Sequence, residues 1–217
     1  MTRIALLDYG MGNMRSVEKA LARTGAEVVR TADPDAARPA DGLVLPGVGA
    51  FPAGIKRIRS LGLDELLAER RAAGVPLLGI CLGMQLLFDR STEHDGAEGL
   101  ALLTGEVTEL EAPGRKLPHI GWESVVIEPG CGLFADLPTA TPFYFVHSFA
   151  ARPADPQEVV GTASWGESFA AAVASPPLYG VQFHPEKSSA AGLRLLANFG
   201  HICSRSVMRS FSSESSM

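Results

Sequence analysis

One cysteine, one histidine and one glutamate carry most of the covalent chemistry this chain has to offer. In Leu78-Gly79-Ile80-Cys81-Leu82-Gly83-Met84, Cys81 stands between two glycines, where an apolar run ends and a helical stretch begins. That is the nucleophile-elbow pattern with cysteine in place of serine. A reversal this sharp holds the nucleophile in a strained conformation, and side chains at Gly79 or Gly83 would collide with the turn. The start of a helix behind the sulfur favours the thiolate, the reactive form. The backbone N–H of Leu82 would face a developing oxyanion. Taken alone, the motif suits a buried structural cysteine between packing glycines equally well.

A second segment changes the balance. Val181-Gln182-Phe183-His184-Pro185-Glu186 puts His184 and Glu186 two residues apart after a strand. In extended chain both side chains fall on one side. Pro185 fixes the backbone between them. Glu186 then accepts from one imidazole nitrogen while the other faces a nucleophile, completing the series nucleophile, base, orienter. A third segment, Pro46-Gly47-Val48-Gly49, leaves another strand. Its glycines allow a close backbone approach, so a second oxyanion donor near Val48 or Gly49 is one reading and a plain strand-to-helix turn the other. No Lys-Ser/Thr follows to make it a phosphate loop.

These residues need a scaffold, and the chain supplies the pattern of one. In the first half, apolar runs at 3–7, 27–30, 42–45 and 75–80 alternate with helical stretches. One of these follows Asn13 as cap, with Met14, Val17, Ala20 and Leu21 on one face; others cover 64–71 and about 84–89. Such alternation predicts an α/β fold: an open, mostly parallel central sheet flanked by helices. The second half predicts additional antiparallel strands over 105–111, 123–127, 142–148, 159–164, 168–174 and 178–183. A helix over 190–203 follows, with Leu195, Leu196, Phe199 and Cys203 in one stripe. Residues 1–203 read as a single domain. Residues 204–217, with 7 serines in 14, read as a disordered tail.

Composition narrows the classes further. With 46% hydrophobic and 20% charged residues, the 217-residue chain is not disordered and is long enough to bury a core. A net charge of −5 without a basic run argues against a nucleic-acid partner. Cys81, Cys131 and Cys203 are odd in number and far apart, with no C-x-x-C pair, so neither a disulfide framework nor a zinc site is expected. The N-terminal apolar run meets Asp8 after four residues, too soon for a signal peptide. The most apolar stretch, 75–88, is too short to span a bilayer. A reduced, cytoplasmic location follows as the expectation.

The motifs Gly79-Ile80-Cys81-Leu82-Gly83-Met84-Gln85 and Gly180-Val181-Gln182-Phe183-His184-Pro185-Glu186 resemble those of the triad-type class I glutamine amidotransferases. Five further segments are similar to the glutaminase subunits of imidazole glycerol phosphate synthase within that class. They are Asp8-Tyr9-Gly10-Met11-Gly12-Asn13, Pro46 to Gly49, His119-Ile120-Gly121-Trp122, Tyr144 to Ser148, and Lys187-Ser188. The resemblance runs from about Arg3 to Ile202 and implies a catalytic triad of Cys81, His184 and Glu186 acting on L-glutamine without cofactor or metal. It implies oxyanion donors at Leu82 and at Val48-Gly49, and a substrate grip from Gln85, Gly49 and the backbone at His147-Ser148. It also implies a (β/α)8-barrel cyclase subunit as heterodimer partner, with Asn13, Trp122, Tyr144 and Lys187 near the interface. From the residues alone, those four are a helix cap, a core ring, a strand side chain and a solvated charge. The chain departs from the pattern at Phe149, where the family often has Tyr, and at Ala101, where small residues or Gly are usual. Alternatives are the glutaminase part of another class I amidotransferase, a stand-alone cysteine hydrolase, and an inactive regulatory scaffold. The Asp8–Asn13 start argues against the first, Gln85 and Glu186 against the second, and the intact Cys, His and Glu against the third.

Overall fold

The computed structural model describes the backbone of residues 1–214 and the side chains of residues 1–206. Its strands, in chain order, are β1 (Arg3–Leu7), β2 (Glu27–Thr31), β3 (Gly42–Gly47), β4 (Leu77–Cys81), β5 (Arg90–Ser91), β6 (Ala97–Glu98) and β7 (Gly105–Glu109). They continue with β8 (His119–Ile127), β9 (Ala140–His147), β10 (Phe149–Pro153), β11 (Val159–Trp165), β12 (Glu167–Ser175) and β13 (Leu178–Val181). The helices are α1 (Met14–Ala22), α2 (Pro34–Ala37), α3 (Phe51–Ser60), α4 (Leu63–Ala72), α5 (Leu82–Gln85) and α6 (Ser189–Glu214). Nine strands form the central sheet in the order β2-β1-β3-β4-β13-β12-β11-β8-β9. It is parallel from β2 to β13 and antiparallel beyond. A smaller sheet, β10-β7-β5-β6, was not anticipated from the sequence.

The apolar runs are continuous because the parallel strands are covered on both faces. Alternate residues enter two separate cores: Ile4, Leu6, Leu78 and Ile80 pack with α1 and α6. Ala5, Leu7, Leu77 and Leu178 pack with the helices on the other side, through Ile55, Leu66 and Leu82. Leu195, Leu196, Phe199 and Cys203 are fully buried, so the stripe expected on the last helix docks it.

Three local differences have physical causes. The helix expected over 84–89 is instead α5, two residues earlier and shorter. The left-handed backbone of Cys81 starts it at once, and i to i−3 bonds of Leu87 and Phe88 tighten its end. Asn13 occupies the N-cap of α1, but its side chain makes no capping bond. α6 runs past Cys203 to Glu214, so 204–214, expected as a disordered tail, has helical backbone. Ser204 and Ser206 turn their hydroxyls to the carbonyls of His201 and Gly74. The rest of that expectation, 215–217, lies outside the described residues.

Candidate active site

Parallel neighbours bring three carboxyl ends together. Gly47 of β3 pairs with Cys81 of β4, and Val181 of β13 pairs with Ile80. Residues leaving these ends therefore meet at one edge, where open α/β sheets hold their ligands.

Cys81 ends β4 with φ 53° and ψ −114°, a region that costs a non-glycine residue about 1–3 kcal/mol. The glycines around it leave no alternative sequence. A Cβ on Gly83 would sit 1.7 Å from the Leu45 carbonyl oxygen, and one on Gly79 would sit 2.7 Å from backbone atoms of Met84. Both obstacles are backbone, so neither can step aside.

His184 and Glu186 are buried, and His184 Nδ1 lies 2.9 Å from Glu186 Oε1. The segment carrying them is clamped by Ser188, a motif residue to which the sequence assigned no role. Ser188 Oγ donates to the His184 carbonyl and accepts from the Tyr144 N–H, while His184 N–H donates to the Tyr144 carbonyl. Burial alone would lower the pKa of His184, but hydrogen bonds to Cys81 and Glu186 raise it to about 10. The imidazolium is thus the favoured form beside the sulfur. Tyr9, buried near Cys81, has its phenol pushed up by burial and by the cysteine's charge.

The sulfur has two further contacts. It lies 3.8 Å from the Val146 carbonyl, to which the thiol donates, and 3.7 Å from Gln182 Nε2. Gln85 Nε2 donates to the Phe149 carbonyl and to Gln182 Oε1, each at 2.9 Å. His147 Nδ1 donates to the same Phe149 carbonyl at 2.8 Å, and its Nε2 lies 3.2 Å from His119 Nδ1. Burial lowers the pKa of His147 to about 4, with lesser help from His119 and His184.

A cleft of about 290 Å³ opens over Cys81 and His184, the size of a small-molecule site. Val48, Gly49, Leu82, Gln85, His147 and Ser148 line it, so every residue expected to bind substrate or oxyanion is present. Leu82 is the first residue of α5, whose N–H has no intrahelical acceptor. Gly49 has φ +102°, a conformation natural to glycine. His147 contributes to the wall, but its imidazole hydrogen bonds run inward. Glu93 also lines the cleft and was missed; its Oε2 accepts from the Phe51 N–H at the start of α3. No local signal marks it, because its place depends on a contact across 42 residues.

Of the four residues expected at an interface, Trp122, Tyr144 and Lys187 touch one another beside this cleft. Trp122 is 51% exposed and is therefore not a core ring. Its ring meets that of Tyr144 edge-on at 6.0 Å, and the Lys187 ammonium stands 5.7 Å over Tyr144. Lys187 itself lines the cleft, and Asn13 is exposed at the head of α1.

The chain belongs to the class I glutamine amidotransferases. The model of that family, glutamine amidotransferase class-I, matches residues 5–203. Within the class, the chain belongs to the HisH subunits of imidazole glycerol phosphate synthase. It is 48% identical over 202 residues to subunit HisH of Moorella thermoacetica, covering 93% of this chain and 96% of that one. It is 46% identical to subunit HisH of Symbiobacterium thermophilum, covering 93% and 95%. The fold agrees with a crystal structure of glutamine amidotransferase at TM-score 0.74 and 21% identity, covering 93% of this chain and 98% of the other.

Proposed function

We propose that the chain hydrolyses L-glutamine to glutamate and ammonia, and passes the ammonia to a cyclase subunit in histidine biosynthesis. The observation that carries this is the meeting of Cys81 and His184 in one cleft, with Glu186 Oε1 2.9 Å from His184 Nδ1. The sulfur of Cys81 attacks the side-chain amide carbon. An S–C bond forms, and the carbonyl oxygen becomes an oxyanion held by the N–H groups of Leu82 and of the Val48-Gly49 segment. His184 gives its proton to the departing nitrogen, the C–N bond breaks and ammonia leaves a thioester. Water then attacks the thioester with His184 as base, releasing glutamate and restoring the cysteine. Glu186 holds the imidazole throughout. We assign Glu93 to the substrate's ammonium and the backbone at His147-Ser148 to its carboxylate, since all three residues line the cleft. Phe149 contributes through its carbonyl, so the tyrosine hydroxyl common in the family is not needed for that contact.

The partner follows from the surface beside the cleft. Ile120, Trp122 and Val126 stand exposed on one face of β8, next to Tyr144 and Val146 of β9. An apolar face of this kind marks an interaction site. Ammonia released into neutral water becomes ammonium, which is no nucleophile, so a dry route to the consuming subunit has a chemical purpose. We assign the face to the (β/α)8-barrel cyclase, which makes imidazole glycerol phosphate and aminoimidazole carboxamide ribotide. Among the described residues no helix is long and apolar enough to cross a membrane. The three free cysteines suit a reducing cytoplasm.

The test is glutamate release from glutamine, with and without a cyclase barrel and its nucleotide ligand. No release in any mixture sinks the reading. A glutamine-like electrophile is expected to add its mass to Cys81; an adduct on Cys131 or Cys203 overturns the assignment of the nucleophile.

A further inference from the structure

Gln182 is completely buried between the sulfur and a second glutamine, and its amide orientation can be deduced. The Phe149 carbonyl can only accept, so the Gln85 atom facing it at 2.9 Å is the NH2 group. That same nitrogen lies 2.9 Å from Gln182, so the Gln182 atom it meets is the acceptor, Oε1. The Gln182 NH2 is thereby left pointing at Cys81 Sγ, at 3.7 Å. His147 supports the arrangement from the other side by donating to the same Phe149 carbonyl. Anchored on a backbone acceptor, donation therefore passes from Gln85 to Gln182 and from Gln182 to the Cys81 sulfur. It has one self-consistent direction.

We propose that Gln182 is a further catalytic residue, donating a hydrogen bond to the Cys81 sulfur that favours its anionic, attacking form, and that Gln85 is the positioning residue that aims it. This rests on the glutaminase reading for its purpose, though the hydrogen bond itself does not. The sulfur then has a different partner for each state. As a thiol it donates to the Val146 carbonyl. As a thiolate it accepts from Gln182 and from His184. Gln85 also lines the cleft, and with both its N–H groups spent on Phe149 and Gln182 it offers a ligand only the acceptor Oε1. In this arrangement Gln85 links the substrate cleft to the nucleophile.

The test is the rate of Cys81 alkylation by iodoacetamide against pH, read by peptide mass on the full-length protein. Wild type is compared with Gln182→Met and Gln85→Met, which keep bulk and remove the donors. The other titratable groups around the sulfur and cleft, His184, His147, Tyr9, Glu93 and Lys187, are retained in both. Losing one donor to the anion is expected to raise the alkylation midpoint in Gln182→Met by about one pH unit, or tenfold in rate on the acidic side. Gln85→Met, which frees the Gln182 amide to turn, shifts it in the same direction by less. A cooperatively folded Gln182→Met with an unmoved midpoint overturns the proposal. A readout on wild type guards against variants that do not fold. The side-chain amide protons of Gln182, in selectively labelled protein, are expected to shift with pH at the alkylation midpoint. Signals that stay constant through it overturn the proposal as well. If the midpoint moves as expected but no mixture releases glutamate, the glutaminase reading fails and the hydrogen bond stands.

Discussion

The buried His147 behind the cleft makes the fold sensitive to mild acid, and His147→Gln should reduce that sensitivity, leaving the smaller share of His119, whose pKa burial also lowers. His147 is pushed down from 6.5 to about 4, chiefly by burial. In the unfolded chain it takes up a proton near its ordinary pKa, whereas the native state resists protonation until pH 4. For a base lowered in this way, stability is unaffected well above 6.5, declines as pH falls through 6.5, and reaches its full loss below 4. The whole shift is worth about 3 kcal/mol, of which about 2 kcal/mol is lost between about pH 7 and pH 5. His184 works with the opposite sign. Its pKa is raised to about 10, so its contribution is fully present below 6.5 and is lost as pH rises through 10. Acidification from pH 7 to 5 therefore strengthens the His184 contribution slightly and cannot imitate the loss from His147. The assay is urea unfolding of wild type and His147→Gln at about pH 7 and about pH 5, with the midpoint and slope converted to free energy. The variant loses its bond to Phe149 at both pH values, so only the difference between the two losses is diagnostic. Wild type should lose about 2 kcal/mol more than the variant. Equal losses in the two proteins would refute the reasoning, because they would place the titrating group elsewhere.

Two other substitutions test the elbow and the triad. Gly83→Ala drives a methyl into the Leu45 carbonyl oxygen, a clash that only movement of β3 or α5 relieves. We expect a loss of about 2–4 kcal/mol in stability by thermal or urea unfolding, with Cys81 alkylation no longer enhanced over a free thiol. Glu186→Gln keeps the shape beside His184 but removes the charge. The raised pKa of His184 should fall, and kcat for glutamate release should drop by about 10²–10⁴ while KM changes little.

The candidate residues Cys81, His184 and Glu186 were readable in the sequence because each motif that carries them is local. A strand end flanked by glycines and a His-Pro-Glu step each declare their geometry within a few residues, and hydrophobic runs mark β4 and β13 beneath them. What the runs do not declare is that β4 and β13 are neighbours; nearly a hundred residues separate them, and only the sheet order joins Cys81 to His184. Glu93 escaped notice, and Ser188 was quoted in a motif without a role, for the same reason, since each acts through a contact with a distant backbone group. The small second sheet was illegible because two of its strands are only two residues long, too short to show any period. Ala101, at a position where small residues or Gly are usual in the family, has φ +50°, a backbone that glycine adopts without strain.

The arrangement also explains why this site tolerates a backbone that is unfavourable in itself. Cys81 is held at positive φ by packing that extends in both directions. Below, a Cβ on Gly180 would press Met84 Cγ at 2.7 Å, so α5 is seated directly on β13. Beside it, a Cβ on Gly47 would meet the Tyr9 hydroxyl at 2.1 Å and Leu82 Cβ at 3.0 Å, so α5 is equally tight against β3. Three strands thus fix one short helix, and the helix fixes the cysteine. Four residues of α helix have almost no stability of their own. Their conformation comes from the sheet, and the sheet's two cores therefore supply the free energy that keeps Cys81 strained at the cleft.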